Sequence, residues 1–220
     1  MKKLMLLAAM IAIPSFAAVS SNVSFTTDYI WRGMTQSDGP AIQGGFDYEA
    51  DSGFYAGVWG SNVNFGNGTG SELDYYAGYS TELSDNIGID FGYLVFDYPD
   101  STPDLKFEEI YLGLSFGDLG FLYASGQDSA SDYLEISYAV GPVSFSHGQY
   151  DEMGENTNLT FSFECGSYDC GITAYDFTDD GYSGVEVSGY TEEWTSAAVP
   201  YTADVVHKCG TAFTQYNSGS

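Results

Sequence analysis

Strict alternation of apolar and polar residues, renewed in short runs along the chain, is the feature that most limits what this sequence can become. Leu73, Tyr75, Ala77 and Tyr79 are offset from Glu72, Asp74, Gly78 and Ser80. Ile87, Ile89, Phe91, Tyr93 and Val95 are offset from Gly88, Asp90 and Gly92. The same holds for Ile110, Leu112, Leu114 and Phe116 against Glu109, Gly113 and Ser115, and for Leu134, Ile136, Tyr138 and Val140 against Glu135 and Ser137. Near the start, Val23, Phe25, Thr27, Tyr29 and Trp31 fall on one face of what reads as one long strand. Neighbours on a strand point to opposite faces, whereas helix neighbours recur every three or four residues. No spacing of three and four persists over a dozen residues, so the reading is all-β.

The strands are placed near residues 19–32, 41–49, 54–63, 72–81, 87–97, 107–116, 120–125, 132–140, 142–150, 157–165, 170–177 and 183–190. Their connections alternate long and short without a break, from GMTQSDGP and ADSG through NFGNGTGS and ELSDN to DYPDSTPDLK and GDLG. Short turns at one end and longer loops at the other are the habit of a transmembrane β-barrel. Tyr29 and Trp31, Tyr48, Tyr98 and Tyr150 fall at strand ends, where a barrel carries its interfacial aromatics. The expected fold is an antiparallel transmembrane β-barrel of about a dozen strands. A secreted β-sandwich is the alternative, because soluble sheets alternate too.

The opening MKKLMLLAAMIAIPSFA has two lysines, an apolar run and small residues at Ser15 and Ala17. This is the pattern of a secretory signal peptide, with too short an apolar run for a spanning helix. The expected division is a signal over 1–17, an outer-membrane barrel over 18–190 and an atypical tail over 191–220. Removing Lys2 and Lys3 makes the formal charge of −26 two units more negative and leaves Arg32, Lys106 and Lys208 as the strong bases. Nucleic acid is excluded as a partner by the sign of the charge. Outer-membrane lipid, the barrel assembly machinery and small solutes or ions are the expected partners, and the sequence sets no oligomeric state.

The polar faces carry Asp28, Asp47, Glu49, Glu72, Asp74, Asp90, Glu109, Glu135 and Glu164. Carboxylates facing a water-filled interior attract cations and repel anions. Arg32, the only arginine, is expected to point inward from the first strand near the outer mouth, either clamping that strand to its neighbours or setting constriction charge. The expected function is passive diffusion of small cationic or neutral solutes. The alternative is a non-conducting barrel that displays acidic loops for adhesion or envelope structure.

No enzymatic constellation emerges. Ser146 and His147 are adjacent and so face opposite sides of a strand. The carboxylates of FTDDGYSG and DYPDSTPD lack the spacing of an EF-hand, and GNGTG lacks the lysine of a phosphate loop. No cofactor and no metal site is expected. Pairing Phe161 with Ala174 and Phe163 with Ile172 would set Cys165 opposite Cys170, within disulfide reach in an oxidising compartment.

Residues 28–63 resemble the opening of the TorF family of proteobacterial outer-membrane porins. The matching pieces are DYIWRGMTQ (28–36), PAIQGGFDY (40–48) and GFYAGVWGSN (53–62). The resemblance implies a small outer-membrane barrel of about a dozen strands and carries over no catalytic residues. The ending HKCGTAFTQYNSGS departs from it, because such barrels usually close on a strand with a terminal aromatic residue. That ending reads as an extension or a replaced terminus, for instance through a change of reading frame.

Overall fold

The computed structural model describes residues 18–166, 168–179 and 207–219, with side chains for 19–166 and 168–178. The signal at 1–17 and the strand expected at 183–190 lie outside the described residues. Two short strands and a long meander make up the rest. β1 is Ala18–Thr26, β2 Ile30–Trp31, β3 Met34–Thr35, β4 Ala41–Glu49 and β5 Phe54–Asn62. β6 is Ser71–Ser84, β7 Ile87–Asp97, β8 Phe107–Phe116, β9 Leu119–Gly126 and β10 Tyr133–Val140. β11 is Val143–Tyr150, β12 Gly154–Cys165, β13 Tyr168–Asp179 and β14 His207–Gly219.

β1 and β4 to β13 form one antiparallel sheet in which every strand pairs with the next in the chain. The backbone of β14 is paired along β13, Ile172 with Phe213, and along β1, Val23 with Asn217. The meander gathers 27–40, 63–70, 98–106, 127–132 and 151–153 at one end, and the tight turns 50–53, 85–86, 117–118 and 141–142, with Gly166, at the other. The expected alternation of connection lengths is therefore a real asymmetry between the two ends. Among the described residues there is no helix, hence none long and apolar enough to cross a membrane.

Register fixes two chemically distinct faces, since a one-residue slip would exchange them. One row runs through Phe54, Tyr79, Phe91, Leu112, Tyr123 and Leu134 in successive strands. The adjacent row runs through Tyr55, Gly78, Gly92, Tyr111, Ala124 and Tyr133. The first face exposes its large apolar side chains, among them Phe46, Phe91, Ile110, Leu134 and Phe161. The second holds the buried core, which lies toward the end with the long connections.

The first strand is shorter than the alternation predicts. It stops at Thr26, whose hydroxyl donates to the Asp28 carbonyl at 2.7 Å, and the chain turns off the sheet. Tyr29 and Trp31 consequently leave the outward row of Val23 and Phe25. Tyr98 and Tyr150 are also buried, at 4% and 3% exposure. Of the aromatics expected at an interface, Tyr48 alone points outward. The others line two internal clusters. One holds Tyr29, Ala41, Val63, Phe65, Phe96, Tyr98 and Leu105; the other holds Ala124, Tyr133 and Tyr150; and Trp31 packs against both.

Cys165 and Cys170 form a disulfide with Cα atoms 5.9 Å apart, though not in the expected register. Phe161 pairs with Ile172, Phe163 with Cys170 and Cys165 with Tyr168. The turn is two residues rather than four, so the bridge crosses the pair diagonally.

Candidate functional site

The site is built on the segment between β1 and β4, which folds across the inner face as a small hairpin. Ile30 pairs with Thr35 and Trp31 with Met34, leaving Arg32 and Gly33 as the turn. Their φ angles of 47° and 80° are both positive, as a two-residue type I′ turn requires. A Cβ on Gly33 would lie 2.6 Å from the Asn156 Cβ and 3.0 Å from the Asp176 carbonyl oxygen, so the tip is seated directly against β12 and β13. The base is tied by Asp28, which accepts from the Thr35 hydroxyl at 2.6 Å and the Ser37 hydroxyl at 3.3 Å. Ser37 in turn accepts the Tyr29 N–H at 2.8 Å. Asp28 thus organises this hairpin and does not stand on a strand wall.

Arg32 occupies a left-handed backbone position that costs a non-glycine residue roughly 1–2 kcal/mol. Its contacts explain why it is held there. The guanidinium donates to both oxygens of Glu109 on β8, Nη1 at 2.7 Å and Nη2 at 2.8 Å. Its carbon lies 4.4 Å from the Trp31 ring centre and 4.0 Å from that of Tyr133 on β10. A planar cation forked onto a carboxylate and sandwiched by rings is the arrangement arginine suits best. The expected clamp exists, but it spans to β8 and β10 instead of joining the first strand to its neighbours.

Tyr29 plays the corresponding part on the other side. Its ring meets Trp59 of β5 edge-on at 5.4 Å, and its hydroxyl donates to Glu72 of β6 at 3.3 Å. Burial first, then the charges of Glu72 and Asp74, push this hydroxyl well above its ordinary value, so it stays a donor. From Trp59 on β5 to Phe177 beside the second cluster, one short hairpin touches the inner face of nearly every strand. The sheet must curl round it for that to happen.

The polar-face carboxylates are brought to one side as the alternation predicts, but they are not uniformly in contact with water. Glu72, Asp74 and Glu109 are only 2%, 7% and 2% exposed. Nearer the turns, Asp90 accepts the Tyr55 hydroxyl at 2.6 Å, and Asp47 accepts from Tyr76 and from Asn22. Glu135 accepts the Tyr133 hydroxyl at 2.9 Å. Glu49 and Glu164 are exposed at the turn end. The polar face is therefore not uniformly open to water, because the carboxylates nearest the hairpin are buried beside it.

Sequence reasoning missed the inward tyrosines. Tyr55 stands opposite Gly78, and Tyr76 opposite Gly57. Each ring lies over the facing glycine in the space that a Cβ there would occupy. The rings lie flat against the wall, so they do not project across the interior. The signal was present as phase: Tyr111 sits between Ile110 and Leu112, on the polar parity.

The remaining candidates resolve as structure. His147 faces outward, its Nδ1 3.0 Å from the Thr157 hydroxyl, while Ser146 accepts from Asn158 on the inner face. Asp100 of the DYPDSTPD loop accepts the Gly70 N–H at 3.0 Å, joining two long connections. Among the described residues no group of three or more potential ligands is placed to hold a metal.

A search of curated proteins finds no match. A family model does match, over residues 12–145, which takes in the hairpin, the first cluster and the Arg32–Glu109 pair. The chain belongs to this family, described as a bacterial protein of unknown function (Gcw_chp).

Proposed function

We propose that the sheet closes through β14 into a β-barrel embedded in the bacterial outer membrane, passing small cationic or neutral solutes. The observation that carries this reading is the outward face. Val23, Phe46, Phe91, Ile110, Ile136 and Phe161 stand exposed on strand after strand, with polar groups turned inward. Water-soluble monomers rarely expose a contiguous apolar patch beyond a few hundred Å². Paired rings edge the band near the tight turns, Tyr48 with Phe54 and Phe116 with Phe121. Rings at that height suit a membrane interface. The leader-like first 17 residues and the resemblance of residues 28–63 to TorF-family porins point the same way.

In this reading the hairpin is an internal constriction at the end with the long connections. Below it, Asp47, Asp90 and Glu135 give the path its preference for cations. Single-channel recording of the refolded chain in a planar bilayer tests it, with cation-selective steps expected. Absence of steps from folded protein would sink it. The two buried clusters favour a second reading, a non-conducting barrel displaying acidic loops. Conductance that appears only in Arg32→Ala, with none in the unmodified chain, would select that one.

A further inference from the structure

Glu72 and Asp74 follow one another on the inner face of β6, under the Tyr29 ring and beside the first apolar cluster. Glu72 Oε1 is satisfied by Tyr29, but Glu72 Oε2 and Asp74 Oδ1 are buried with no donor among the described residues. Arg32 offers no relief, since Glu109 takes both ends of its fork. The other titratable groups facing the pair are Tyr29 from the hairpin, Tyr76 from β6, Glu109 from β8 and, through Tyr29, Tyr150 from β11. β5 and β7 place Ser61, Trp59 and Phe96 opposite, none of them charged. Among the described residues, three buried carboxyl groups thus lie near one buried cation, and Glu109 takes it.

Two neighbouring carboxylates removed from water do not both stay ionised, because one neutralises at far smaller cost. We propose that Glu72 and Asp74 hold one proton between them at neutral pH, and that losing it loosens the hairpin over them. The proton bridges the two oxygens that otherwise lack a donor. On deprotonation one O–H bond breaks, the proton passes to water or buffer base, and two negative charges remain under Tyr29 and Trp59. Repulsion between them, and between Asp74 and Glu109, then favours any movement that admits water. The hairpin loosens as pH rises through the loss of this proton. This holds whether or not the barrel conducts.

Infrared titration of the full chain decides the matter, in dimyristoylphosphatidylcholine vesicles or, if the chain proves water-soluble, in buffer. The expected spectrum shows a protonated-carboxyl C=O band at neutral pH that is lost on raising the pH. That band is missing at neutral pH in both Glu72→Gln and Asp74→Asn, where an amide supplies the bridging hydrogen. Acrylamide quenching of tryptophan fluorescence is expected to rise as the band disappears in the unmodified chain, and to be independent of pH in either variant. A neutral-pH spectrum without the band overturns the proposal, as does a band that survives in both variants. A band absent together with stabilisation by added Na⁺ or Ca²⁺ would also overturn it, assigning the pair to a metal cation. Should either variant fail to fold, the unmodified spectrum and the other variant still decide.

Discussion

Arg32 Nη1 and Glu109 Oε1 meet at 2.7 Å although 77 residues separate them in the chain. The contact joins the tip of a hairpin to a strand across the inner face, with both side chains shielded from solvent. Removing one partner of such a pair strands the other's charge and typically costs about 3–5 kcal/mol. Arg32→Ala and Glu109→Ala are therefore expected to lower stability by similar amounts, read as urea midpoints in lipid vesicles. In planar bilayers Arg32→Ala should also raise conductance, since the freed hairpin no longer fills the upper interior. Unchanged conductance and stability would mean that the ion pair holds nothing in place.

The tyrosines laid over glycines give a second test. Gly57→Ala would drive its Cβ into the Tyr76 ring, and Gly78→Ala into Tyr55. Overpacking of this sort costs about 1–3 kcal/mol. If the rings are displaced inward, each variant should show smaller conductance steps than the parent with the fold intact by circular dichroism. Gly57→Ala combined with Tyr76→Ala should recover both properties. Failure of that rescue would separate the glycine from the ring it faces.

Much of this was readable in the sequence because strand parity is local. Asp47, Glu72, Asp74, Asp90, Glu109 and Glu135 share a face for no reason beyond their odd offset from the apolar residues. The hairpin was hidden because Thr27, Tyr29 and Trp31 continue the alternation of β1 after the chain has left it. The clue lay in capping chemistry, with Thr26 and Asp28 at one end and Ser37, Asp38, Gly39 and Pro40 at the other. Aromatic residues at strand ends suit an outer girdle and a buried cluster equally, and only three-dimensional placement assigns Tyr98 and Tyr150 to the buried clusters. The disulfide partners were readable from their spacing, whereas the register was not, because it depended on a two-residue turn.

The Cys165–Cys170 bridge spans a turn at the end away from the hairpin. With a separation of only 5 residues, it limits the unfolded chain little, and its loss should cost at most about 2 kcal/mol. Cys165→Ser with Cys170→Ser is expected to lower the urea midpoint slightly and leave conductance unchanged. A large loss of assembled protein in cells, with normal refolding in vitro, would instead assign the bridge a part in folding after export.

The outward face supplies the test that separates a membrane barrel from a soluble sandwich. Leu112 lies midway along β8, paired with Phe91, and is 40% exposed. On a solvated sheet, replacing a side chain this exposed shifts stability by about 0.5 kcal/mol or less. At the centre of a lipid-facing wall, arginine costs roughly 2–4 kcal/mol, because the cation must be held within hydrocarbon or reach its edge. Leu112→Arg, measured by urea unfolding in vesicles beside the inward substitution Ser115→Arg, is expected to show the larger penalty alone. Ser115 faces the polar interior near the tight turns, where a cation finds Glu82 and Asp90 within its own row or the next. Equal tolerance at the two positions, with a monomer that stays in solution without detergent, would remove the membrane reading and leave a sheet whose apolar face awaits another partner.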